Sequence, residues 1–244
     1  LELVPPGVRR SQWYKFQRRV QPKRPPDNLT RCQSQGSCRW VWDREIEEVE
    51  SLVRTALSLL EALGAKLVEV DIPLAEESRS THFKISEPEA AVYWKDQFDD
   101  TDLKAWPELH PVIKRGAQQT ISAYLEGQRQ AALIRQELDG VFREVDVIAM
   151  PTGSTVNDDG DAETVILRGK EIQARSRAVY LNGLASLLGT PALSVPCGFA
   201  VDKSLPVGLQ LIGRKLQESV ILRVAYAYEQ ATDWHLRNPS MSID

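Results

Sequence analysis

Gly189-Thr190-Pro191-Ala192-Leu193-Ser194-Val195-Pro196-Cys197-Gly198-Phe199 is followed, after Asp202-Lys203-Ser204, by Leu205-Pro206-Val207-Gly208-Leu209-Gln210-Leu211-Ile212-Gly213. Each half is a short apolar run punctuated by Pro and Gly, which reads as a pair of strands over Ala192–Val195 and Val207–Ile212. Pro196 is expected to end the first strand, because proline donates no ladder hydrogen bond. Gly198 is expected to allow a tight turn. Gly208, inside a strand, predicts the close approach of a neighbouring backbone.

The surrounding chain alternates helices with single apolar strands. Ile46, Val49, Val53, Ala56, Leu60 and Leu63 recur at helical spacing and form one apolar stripe. Gly64 stands where helices commonly end. Leu67–Ile72 then reads as a strand stopped by Pro73. Residues 87–98 predict a helix with Ala91, Val92 and Trp94 towards the core. A longer helical stretch is expected over about 117–145, softened at Gly127 and Gly140. Asp146–Met150 is a buried-strand candidate, closed by Pro151-Thr152-Gly153-Ser154. Val165–Ile172 suggests a hairpin around Arg168-Gly169, Ala174–Leu188 a helix, and Glu218–Ala231 a last helix with Ile221, Val224, Ala225 and Tyr228 on one face. Helices between single apolar strands argue for a layered α/β fold rather than a sandwich or a bundle.

The composition sets bounds on function. The chain has 244 residues, 42% hydrophobic and 26% charged, ordinary values for a water-soluble globular protein. A net charge of −4 offers no global attraction to nucleic acid or to a membrane surface, and no apolar run is long enough to span a bilayer. The first residues lack a secretory pattern, and Leu1 stands where a Met would begin a chain, so the start is read as cut or processed. Cys32, Cys38 and Cys197 are read as free thiols of a reducing cytoplasm.

Several sharper readings fail on spacing. His82, His110 and His235 are scattered and read as structural or surface histidines. The acidic groups Asp99, Asp100, Asp102 and Asp158, Asp159, Asp161 lack the Gly and Glu spacing of a calcium loop, so no metal site is expected. Residues 1–42 are rich in Pro, Arg and Lys, with Trp13, Tyr14 and Phe16 interleaved. They read as a separate segment, disordered or non-native, with an interaction arm for an acidic partner or RNA, or an organelle-targeting arm whose prolines disfavour the amphipathic helix it needs, as the competing readings.

In order and spacing, four stretches resemble the C-terminal half of the amidase signature family. They are Leu60-Glu61-Ala62-Leu63-Gly64-Ala65 with Val68–Pro73, Val145–Thr152, the strand pair quoted above, and Glu218–Leu222 with Ala227–Thr232 and Trp234-His235. The resemblance runs from about Asp43 to Pro239, roughly four-fifths of the chain. It implies an α/β fold, the C-terminal half of the amidase-signature fold, with a mixed sheet covered by helices over residues 43–244. It implies amide hydrolysis by a serine nucleophile, a second serine in a cis peptide and a lysine base, with no cofactor.

In the family those groups precede the matched region. Residues 1–43 contain only Gln33-Ser34-Gln35-Gly36-Ser37-Cys38, without the paired glycines and second serine of that motif. No catalytic residue is therefore assigned, and the chain is expected to be inactive unless a catalytic half completes it for a small-molecule amide. Thr152 and Ser154 are the candidates for one wall of the substrate pocket, at the C-terminal end of their strand. Ser186 departs from the Asn of many relatives. Val112 and Val179 stand where glutamine-dependent tRNA amidotransferases carry an Arg and an acidic residue, so a general amidase ancestry is favoured. A half-domain also leaves an open sheet edge, which predicts self-association. The alternative function is a non-catalytic binding or scaffold protein built on the half-domain.

Overall fold

A computed structural model describes residues 32–33, 47–68, 70–95, 109–154, 164–167, 170–201 and 205–238. The basic Pro-rich segment 1–42 lies outside the described residues except for Cys32–Gln33, as do both acidic clusters. The elements are β1 (Cys32–Gln33), α1 (Glu47–Ala62), a 3-10 turn (Pro73–Glu77), α2 (Ser78–Trp94), α3 (Leu109–Gln118), α4 (Ile121–Val141), β2 (Val147–Pro151), β3 (Thr164–Leu167), β4 (Lys170–Gln173), α5 (Ala174–Leu188), β5 (Ala192–Phe199), β6 (Pro206–Gly213), α6 (Glu218–Gln230) and a 3-10 turn (Trp234–Leu236).

The main sheet has the order β1-β2-β6-β5. β1 runs parallel to β2, and β6 is antiparallel to both β2 and β5, so the sheet is mixed. Alternation along each strand divides the side chains between two cores. Val147, Ala149, Val195, Leu209 and Leu211 pack with Val53, Leu57 and Leu60 of α1 and Val224 and Tyr228 of α6. On the opposite face Ile148, Met150 and Ile212 pack with Ile134 and Leu138 of α4 and Leu181 and Leu184 of α5. The result is a sheet between two helical layers, as the sequence predicts.

Two turns show why glycine is placed where it is. At the end of α1 the Gly64 and Ala65 amides bond back to Glu61 and Leu60 at 2.9 and 3.0 Å, with Gly64 at φ 99°. At the end of α5 the Thr190 amide reaches the Ala185 carbonyl at 3.2 Å, with Gly189 at φ 63°. Both are left-handed helix terminators that satisfy otherwise orphaned carbonyls. The second releases the chain directly into β5.

Several sequence expectations are corrected. Leu67–Ile72 is irregular rather than a strand in its described residues. It is a bridge between the cores: Leu67 packs against the first, while Val68, Val70 and buried Ile72 belong with the second. Burial alone explains the apolar pattern. α2 begins at Ser78, not residue 87, because Pro88 sits inside it instead of starting it. Ala91 is buried, but Val92 is 72% exposed and does not face the core. α4 runs unbroken through Gly127 and Gly140, its true start being Thr120, whose hydroxyl accepts the Ala123 amide at 3.1 Å. Pro196 does not end β5; the strand continues through it to Phe199 with a bulge before Gly198. β5 is an edge strand of the described sheet, where a missing N–H is tolerated.

Glycine lets α2, α3 and α4 pack closely. A Cβ on Gly116 of α3 would collide with the backbone carbonyl of Glu87 on α2, and one on Gly127 of α4 would lie 2.9 Å from the Lys84 Cβ. The Arg115 Nε and Nη2 both donate to Glu87 Oε1, at 2.9 and 2.6 Å, fastening α3 to α2 beside Gly116. Gly116→Ala must push two backbones apart. It should destabilise the fold by about 1–3 kcal/mol, the usual cost of overpacking, read as a lower urea midpoint with an unchanged m-value.

Candidate functional site

The sheet face packed on α4 and α5 changes character at its β5 side. Register places Met150, Gln210 and Ser194 in one row, and Gly208 and Pro196 in the next. Side chains directly opposite in adjacent strands share a face. Ile148, Met150 and Ile212 are buried there, whereas Ala192 and Ser194 are exposed and Gly208 and Pro196 half-buried. The helices therefore cover one side of this face and leave the other open.

Thr152 follows directly from the end of β2, and its amide donates to the Gly208 carbonyl at 2.8 Å, extending the ladder by one bond. Its Oγ1 lies 2.6 Å from Ser194 Oγ in a hydroxyl–hydroxyl hydrogen bond across β6. Gly208 lies beneath that bond. A Cβ there would sit 2.5 Å from Ser194 Oγ and 2.7 Å from Thr152 Oγ1. The close approach expected at Gly208 is real, but two side-chain hydroxyls make it rather than a backbone.

Ser154 is 1% exposed, and its Oγ has no hydrogen-bond partner among the described residues. Gln210 is 4% exposed, and among the described residues its Nε2 is equally unpartnered. A buried polar group left unpaired costs on the order of 1–3 kcal/mol. Ser154 follows Thr152 beyond the end of β2, and Gln210 stands opposite Ser194. Thr152 and Ser154, both chosen from the sequence, are thus at this end of the sheet. Ser194 and Gln210 were missed. Each is a single polar residue between apolar neighbours, Leu193-Ser194-Val195 and Leu209-Gln210-Leu211, and period-2 alternation is the signal that turns each away from the face of its apolar neighbours.

The histidines do not form a catalytic group. His82 is on α2, half-buried against Phe83, and burial holds its pKa below the ordinary value. His110 and His235 are exposed on other elements. Among the described residues no cluster of His, Cys, Asp and Glu could hold a metal ion. No helix among them is long and apolar enough to cross a membrane. Cys197 is buried in the opposite core, and desolvation pushes its thiol up to about 12.

The Amidase family matches residues 39–222. An amidase from Pseudomonas putida is 34% identical over 220 residues, covering 83% of this chain and 43% of that protein. A glutamyl-tRNA(Gln) amidotransferase subunit from Chloroflexus aggregans is 34% identical, covering 80% of this chain and 43% of that protein. Among solved structures, an amidase superposes with a TM-score of 0.71 at 25% identity, covering 86% of this chain and 47% of its own. The chain therefore spans less than half the length of the relatives it matches, as a resemblance to half of the fold implies. Relatives of both kinds match equally well, so identity does not by itself separate the amidases from the amidotransferases.

Two outcomes test this geometry. Gly208→Ala should destabilise the fold by about 1–3 kcal/mol, and the penalty should shrink in a Ser194→Ala background, which removes the nearest atom. A double-mutant cycle in urea measures both. Cys197, a protonated buried thiol, should resist iodoacetamide at pH 8 in the folded chain and react once urea unfolds it, followed by mass spectrometry.

Proposed function

The chain belongs to the amidase family, and from that premise we propose that it supplies the substrate-facing wall of an amide hydrolase whose serine and lysine come from a separate catalytic portion of the fold. The observation that carries this reading is the open, hydroxyl-rich end of the sheet at Thr152, Ser194 and Gly208. The match to about 43% of each relative supports it as well. In this reading the small residues Ala192, Ser194 and Gly208 let a substrate and a second layer of chain come close to the sheet. Thr152 and Ser154 line the acyl or leaving-group side. The chemistry is attack of a serine hydroxyl on a carboxamide carbonyl, with release of ammonia or an amine. It requires an oxyanion site and a base on the catalytic portion. The substrate is a small-molecule amide, and no metal or cofactor takes part.

The chain alone should release no ammonia from aliphatic or aromatic primary amides above the buffer rate. Co-expression with the portion of the Pseudomonas putida amidase that this chain does not cover should restore activity. Thr152→Val in that pair should lower kcat/KM about tenfold, equivalent to about 1.4 kcal/mol. Turnover by the purified chain alone would overturn the division of labour. A pair that purifies together but stays inactive would overturn the hydrolytic role.

A further inference from the structure

Gln210 is a carboxamide in the middle of the sheet, between Met150 on one side and Ser194 on the other. Its neighbours along β6, Leu209 and Leu211, turn to the opposite core. The two N–H groups on its Nε2 have no acceptor among the described residues. One residue across, Thr152 Oγ1 and Ser194 Oγ share a 2.6 Å hydrogen bond. Two hydroxyls carry two hydrogens; that bond uses one and leaves the other to donate outward. The face is open beside Gln210 at exposed Ala192 and Ser194.

The donors left unspent at this place are the two Nε2 N–H groups and one hydroxyl O–H, while the hydroxyl oxygens keep lone pairs of their own. The register positions around them on β5 and β6 are Ala192, Ser194, Pro196 and Gly208, none of them ionisable. A carboxylate here would lose hydration without gaining a counter-charge. A neutral carbonyl oxygen has two lone pairs to accept these donors and little hydration to lose.

We propose that Gln210 and the Thr152–Ser194 hydroxyl pair form a subsite for an uncharged carbonyl oxygen of a small-molecule ligand. Resting on the functional reading above, this oxygen belongs to a substrate group remote from the bond that is cleaved, so the substrates are neutral amides bearing a second carbonyl. Gln210 and Ser194 determine specificity rather than catalysis.

The test is NMR of the full chain with glutamine side chains labelled with ¹⁵N. Hexanamide and its charged counterpart hexanoate are the probes. The Gln210 side-chain signals should move saturably with hexanamide, and hexanoate should bind at least about tenfold more weakly. Gln210→Met removes one pair of side-chain signals and so identifies the one to follow as that of Gln210. Ser194→Ala, at an exposed position, should weaken hexanamide binding several-fold while leaving the urea midpoint close to that of the parent. Absence of a saturable shift, or equal binding of hexanoate, overturns the subsite. Loss of the hexanamide response when the catalytic portion is added would assign the partner carbonyl to protein backbone and overturn the ligand assignment. Activity of the reconstituted pair is read separately. Activity without a Gln210 shift removes only the subsite, and a shift without activity removes only the hydrolytic role.

Discussion

The pairing of β6 with β2 on one side and β5 on the other is the constraint on which the rest of this structure depends. β6 is flanked on both sides, and both cores are built on it. Leu209 and Leu211 are fully buried towards α1 and α6, while Ile212 is fully buried towards α4 and α5. Each such side chain contributes about 1.5–3 kcal/mol of burial. A slip of one residue would send Gln210 into the first core and Leu211 to the open face, so the hydrophobic pattern fixes the register. The same register brings Ser194 opposite Gln210 and Thr152 over Gly208. The polar end of the sheet is thus set by the forces that set the core.

Tight packing recurs wherever two backbones must approach. Gly116 and Gly127 bring α3 and α4 against α2, and the Arg115–Glu87 pair holds the first of these contacts. Gly208 does the equivalent for two hydroxyls. Gly64 and Gly189 serve another purpose, since a Cβ at either would meet nothing within 4 Å. Their cost of replacement lies in the left-handed backbone they occupy. Glycine therefore has two distinct physical roles here, and space around the Cβ position separates them.

The open end of the sheet carries neutral polar groups, the Thr152 and Ser194 hydroxyls and the Gln210 carboxamide. Hydroxyl and carboxamide groups orient a substrate through geometry without holding a charge, which suits discrimination more than proton transfer. Family membership sets the fold, and function is decided by the residues of a site rather than by the fold itself.

Much of this was legible in the sequence. The signature strands, β2, α5, α6 and the hairpin were readable because their pattern is local. So was the end of α1 at Gly64. The errors share a cause. Leu67–Ile72 has a strand's apolar pattern, but its burial comes from bridging two cores. Pro88 signals a boundary, yet α2 runs through it, and the position of Gly116 and Gly127 against α2 is a packing matter that no window of sequence contains. Val92 was placed inward by spacing and lies outward. The sequence by itself determined which residues alternate and where helices stop, because period and turn chemistry are local. Only the tertiary structure decided that Ser194, Thr152, Gly208 and Gln210 share one face and one end of the sheet, because that depends on pairing between strands some sixty residues apart in the chain.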